Sequence, residues 1–142
     1  MSKINFQQTQ VVLPESIKWT KQEGFPDFSL ENASLFGDID GGGLYFSLLR
    51  WYPGYMSAPH FYRTDRICVV VSGTWWVNSG ADFDPNNCIP TTPGSYIHRA
   101  AGTPHYDGVI AGAKEPTVIA ICGIAPVEVG LVDPSQPGWR QV

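Results

Sequence analysis

Glycine and proline cut this chain into short pieces. Fifteen Gly and twelve Pro are spread through 142 residues, and the longest aliphatic runs between them, Ile67 to Val71 and Val118 to Cys122, are only strand-sized. No stretch has the 3.6-residue apolar period of a long amphipathic helix, whereas many β-rich runs at short spacing predict a barrel or sandwich. The candidate strands are 10–13, 17–19, 44–52, 67–72, 74–78, 95–99, 105–110, 117–124 and 126–131. Residues 26–35 read as a short helix or irregular arm. No repeat or charge block divides the sequence. At this length it is expected to form one domain, with an N-terminal arm and edge strands over 1–35 and a barrel over 36–142.

Composition narrows the function. Nine Lys+Arg against thirteen Asp+Glu give a formal charge of −4 with no basic run, so a nucleic-acid partner is not expected. No run approaches the ~20 apolar residues that cross a bilayer, and the first residues lack an apolar leader core. A cytoplasmic location without membrane association is the expectation. Cys68, Cys88 and Cys122 show neither a close pair nor a C-x-x-C spacing, which argues against a disulfide framework or a thiolate zinc site. Cys68 and Cys122 sit in apolar runs as small buried hydrophobes.

The chemistry concentrates where the three histidines lie, at positions 60, 98 and 105. Gly54 is followed after five residues by His60-Phe-Tyr62, then Arg66, and six residues later by Gly73. Gly94 leads to Gly102-Thr-Pro-His105. This order of glycines and histidines resembles the two-part signature of the cupins, Gly–five–His-x-His–three or four–Glu–six–Gly followed by Gly–five–Pro–x–Gly-x-x-His. The segments around Phe36-Gly-Asp38, Trp51-Tyr-Pro-Gly54 and Gly123-Ile-Ala-Pro126 are similar to small single-domain cupins of the ChrR-like and RmlC-like kind. The resemblance spans about residues 36 to 125. It implies an all-β fold, the antiparallel jelly-roll barrel also called a double-stranded β-helix.

In that family three His and one Glu converge on a metal, and the matching positions here are His60, Tyr62, Arg66 and His105. Two of the four differ. A phenol with a reference pKa near ~10 replaces one imidazole, and a permanent cation replaces the carboxylate. At ~4 Å and an effective dielectric of ~20, an arginine and a divalent ion repel by about 8 kcal/mol before screening. Strand alternation puts Thr103, His105, Asp107 and Val109 on one face, so Asp107 is expected to face the same interior as His105. There it could pair with Arg66 or orient an imidazole, although Asp107-Gly108 could instead be a solvated turn.

Three readings follow. In the first, a cupin enzyme of lyase, dehydratase or isomerase type moves protons on a small organic anion. His60, Tyr62 and His105 are then catalytic, Tyr62 as a base made more acidic by Arg66, while Arg66, Asp107 and the inward member of the Trp75–Trp76 pair, assigned to Trp76, bind substrate. In the second, His60 and His105 hold one divalent transition metal with Tyr62 or Asp107 as third ligand, in an oxygenase-like enzyme. The third is a ligand-binding or sensor barrel without catalysis. His98 and Arg99 read as an ordinary polar face, and Arg63 as a surface partner of Asp65. Arg50 and Arg66 are the cations nearest the pattern. A homodimer formed through edge strands or the N-terminal segment is expected.

Overall fold

A computed structural model describes residues 8–142. Thirteen strands follow in chain order: β1 (Thr20–Lys21), β2 (Leu30–Phe36), β3 (Gly43–Trp51), β4 (Tyr55–Ser57), β5 (His60–Tyr62), β6 (Arg66–Ser72), β7 (Trp75–Ser79), β8 (Ile89–Thr91), β9 (Tyr96–Arg99), β10 (His105–Val109), β11 (Thr117–Ala125), β12 (Val129–Leu131) and β13 (Trp139–Gln141). Only two single-turn 3₁₀ segments, Pro14–Ser16 and Pro85–Asn87, interrupt the β structure among the described residues.

All pairings are antiparallel and form two sheets. One runs β1-β2-β3-β11-β6-β9; the other runs β12-β5-β10-β4-β13, with β7 joining β10 and β8 joining β7. This is the jelly-roll expected from the sequence. Alternate residues of both sheets point inward, and Tyr45, Trp51, Cys68, Val70, Trp75, Val109, Ile119 and Ile121 form the buried core. Gly73 and Gly108 stand where the neighbouring backbone admits no side chain. Gly73 turns β6 into β7 at φ +69°, where a Cβ would lie 2.3 Å from the Pro116 carbonyl oxygen. Gly108 lets β10 press against β4, where a Cβ would lie 2.3 Å from the Tyr55 carbonyl oxygen.

The N-terminal region departs from the expected elements. Residues 10–13 form no strand, and the strand placed at 17–19 falls instead at Thr20–Lys21. The stretch read as a helix or arm holds strand β2, which pairs along β3 from Leu30 to Ser34 and turns Leu30, Asn32 and, at the rim, the exposed Ser34 to the cavity side. Asp107-Gly108 is not a turn either: it lies inside β10, all five of whose residues are buried.

Candidate active site

The barrel encloses a cavity of about 520 Å³. Short strands β5 and β10 pair through His60 and His105 themselves, which sets the two imidazoles side by side with ring centres 4.3 Å apart. Both are buried. His60 Nδ1 lies 2.7 Å from the Ala58 carbonyl and His105 Nδ1 lies 3.0 Å from the Thr103 carbonyl. A carbonyl only accepts, so each Nδ1 carries the proton and each Nε2 keeps its lone pair. Tyr62 completes the cluster, its ring centre 5.2 Å from His60 and 5.7 Å from His105, nearly parallel to the latter.

Arg66 enters from β6. Its guanidinium carbon sits 4.1 Å from the centre of the Tyr62 ring, a cation–π distance, and its Nε donates to Tyr45 Oη at 3.2 Å. The residue is buried, lines the cavity and forms no ion pair with any described carboxylate. Asp107, one of the partners considered for it, is held elsewhere. Trp75 Nε1 donates to Asp107 Oδ1 at 3.2 Å and Arg99 Nη2 to Oδ2 at 3.0 Å. Both members of that ion pair are about nine-tenths buried. Arg99 also donates to the Asn78 carbonyl, at 3.0 Å.

Burial governs the protonation states. Desolvation pushes the His60 pKa below its usual value, with the Asp107 charge opposing it. His105 is pushed down to about 4 by burial and by the neighbouring His60, against the opposing pull of Asp107. Both imidazoles are therefore neutral at physiological pH. Burial also raises the Tyr62 pKa, and the opposing effect of Arg66 does not overcome it. The idea that Arg66 makes Tyr62 an ionised base is thus corrected: Tyr62 stays a phenol and can donate. Cys68, which lines the cavity, is pushed up to about 11 by burial and is no nucleophile.

Several other placements differ from the sequence reading. Trp75, not Trp76, lines the cavity; Trp76 has the opposite parity on β7 and packs against the core away from the cavity lining. Arg99 is the residue the sequence reading missed. It pairs across to Arg66 in the β6–β9 register and shares parity with Ile97, and that parity was the available signal. His98 points outward to Asp65, at 2.9 Å, as a polar-face residue. Arg63 pairs with Glu128 rather than Asp65, at 2.9 Å. Arg50 faces Glu31 and Trp19 rather than the cavity.

A divalent ion is the family's usual occupant, and ligand atoms of His60, His105 and Asp107 do lie within 4.8 Å of one another. The donor set does not fit one as it stands. Each Asp107 oxygen already accepts one hydrogen bond, from Trp75 or from Arg99, and Tyr62 is a neutral phenol, so the donors are two neutral imidazoles and a carboxylate whose charge Arg99 balances. The permanent charges of the lining, Arg66, Arg99 and Asp107, already leave one positive charge before any ion is added.

The chain has the cupin fold. No family model and no curated protein matches the sequence. Among solved structures it is similar to the polyketide cyclase RemF from Streptomyces resistomycificus, at 17% identity and TM-score 0.73 over 92% of this chain and 89% of that one. A sugar phosphate isomerase of the cupin superfamily from Silicibacter pomeroyi gives 15%, TM-score 0.62 and 89% of each chain. The DMSP lyase DddQ from Ruegeria pomeroyi gives 14% and TM-score 0.66 over 84% of this chain and 63% of that one. None of the described elements is a helix long and apolar enough to cross a membrane.

Proposed function

We propose that the chain is a cupin enzyme of the lyase, dehydratase, cyclase or isomerase kind, which moves protons on an organic anion bound inside the barrel. One observation carries the reading: Arg66 is a buried cation facing the cavity without a carboxylate among the described residues, beside two neutral imidazoles. A buried charge is costly unless compensated, so an anionic ligand is the natural counterion. The likeness to proteins named as a cyclase, a lyase and an isomerase supports the same broad class.

The roles follow from the proton inventory. Arg66 binds the carboxylate or developing enolate oxygen. An imidazole with its Nε2 lone pair free accepts a proton from the carbon next to that group. A pKa of about 4 makes His105 a weak base in the empty site, but a bound anion raises the imidazole pKa and strengthens the base when substrate is present. Tyr62 keeps its proton and donates to an oxygen that gains charge. The Asp107–Arg99 pair holds the wall behind the imidazoles and touches no reacting atom in this scheme.

Hydrogen–deuterium exchange tests the reading. Enolisable 2-oxo and 3-oxo carboxylates are incubated with the protein in D₂O and followed by proton NMR. Carbon-bound deuterium is expected with the wild type, with rates at least ~100-fold lower in Arg66→Met and His105→Gln. A wild type that exchanges no member of the panel faster than buffer overturns the reading.

A further inference from the structure

The cavity is far larger than a small acid needs, and its walls are not uniform. At about 30 Å³ for each water-sized unit, 520 Å³ holds about 17 non-hydrogen atoms. It also has a direction. The inward residues of β3 that line it run from Tyr45, which touches Arg66, through Ser47 and Leu49 to Trp51, and six residues of strand cover ~20 Å. The space therefore leads away from Arg66, the one lining cation without a described carboxylate partner, toward an uncharged end where Trp51 meets Phe25 with ring centres 6.1 Å apart. There Asn32 and Gln22 hydrogen-bond to each other, and the Trp51 indole N–H has no partner among the described residues.

Across its width the two faces differ. The β2–β3 face carries neutral polar groups. Ser34 and Ser47 are directly paired, and Asn32 lies two positions along from Ser34. Ser47 Oγ has no hydrogen-bond partner among the described residues, and Ser34, exposed at the rim of the cavity, reaches only the Gly37 carbonyl, at 3.4 Å. The facing sheet supplies the imidazoles, Tyr62 and Asp107 near Arg66, and the apolar Trp75, Val129 and Leu131 beside them. Apart from Arg66, the only permanent charges on the lining are Arg99 and Asp107, which neutralise each other. A second anionic group on the ligand would have no free cation to meet.

We propose that the site takes an elongated, largely apolar monocarboxylate of about 17 non-hydrogen atoms, its charged end on Arg66 and its body along β3 toward Trp51. A neutral oxygen substituent faces Ser47. This inference rests on the anion-binding reading above and adds to it the class of molecule. A short polyhydroxylated acid would leave the Leu49 and Trp51 end unfilled, and a dianion would bury an unpaired charge.

Equilibrium binding to inert probes tests this without any turnover. Acetate, benzoate, 2-naphthoate and anthracene-2-carboxylate, together with 2-naphthamide as a neutral shape match, are titrated calorimetrically into wild type, Arg66→Met and Leu49→Trp. Affinity is expected to rise about tenfold with each fused ring, with the amide at least ~10-fold weaker than the naphthoate. Arg66→Met erases that preference for the carboxylate. Leu49→Trp weakens the two- and three-ring acids at least ~10-fold and leaves benzoate unchanged, so the test stands even if Arg66→Met fails to fold. An affinity that is flat or falls beyond benzoate, with the carboxylate still preferred over the amide, overturns the elongated class and leaves the anion reading intact. Equal binding of amide and carboxylate by the wild type overturns both.

Discussion

Arg66 lies over the face of Tyr62, 4.1 Å from the ring centre, and this contact takes the place of an ion pair. A cation–π contact of ~1–2 kcal/mol does not match the cost of removing a guanidinium from water. The empty protein therefore carries uncompensated charge at its centre, and binding an anion relieves it.

Arg66→Met is accordingly expected to raise stability in urea by about 1–2 kcal/mol while lowering carboxylate affinity ~10- to 100-fold. Denaturation midpoints and calorimetry on the same preparations check the two effects. A variant that is both less stable and equally able to bind carboxylates contradicts the role given to Arg66.

The stability of the empty protein should depend on acid through His105. Its folded pKa, about 4, lies below the ordinary 6.5, so the unfolded chain binds the proton more readily. Stability conferred by the neutral imidazole is fully present above pH ~6.5 and declines as the pH falls toward 4, with an upper bound of about 3 kcal/mol. His60 shifts in the same direction. Urea melts between pH 4 and 7.5 should show this slope, and His105→Gln should flatten it.

Asp107 and Arg99 form the one strongly buried ion pair among the described residues. Asp107→Asn strands the guanidinium and is expected to cost about 3–5 kcal/mol. Replacing both, Asp107→Leu with Arg99→Met, should recover at least ~1 kcal/mol of that loss, and chemical denaturation of the three variants measures the coupling.

Protein purified without a metal-binding tag should contain well under one equivalent of any transition metal by plasma mass spectrometry. Near-stoichiometric metal that disappears in both His60→Ala and His105→Ala would show that the two imidazoles hold an ion with Tyr62 or Asp107 as a further ligand. The acid–base scheme would then give way to a metal-dependent one.

The barrel and the meeting of His60, Tyr62, Arg66 and His105 were legible through the resemblance of the glycine and histidine spacing to the cupin signature, which implies both the turns and the four converging positions; strand parity extended the site. The same parity placed Asp107 correctly. It could not choose its partner, because whether Arg66 or Arg99 reaches Asp107 depends on the β6–β9 register and on rotamers. Trp75 and Trp76 were ambiguous for a similar reason: adjacent residues take opposite faces, and only the pairing of β7 with β10 decides which is inside. The very short strands β4, β5, β8 and β13 carry too few residues for alternation to register. β2 was hidden by Asn32 and Ser34, polar groups that a solvent-filled interior accepts and a packed core would not.

Each imidazole is anchored by a carbonyl only two positions upstream, Ala58 for His60 and Thr103 for His105. The orientation of each ring is thus written within three consecutive residues and asks nothing of positions 62 and 66. Those two sites can be exchanged without re-aiming the histidines, so Tyr62→His with Arg66→Glu should give this barrel a metal-chelating set of three imidazoles and a carboxylate in two substitutions. The histidine tripeptides behave as a portable cassette, and the residues around them decide which chemistry it serves.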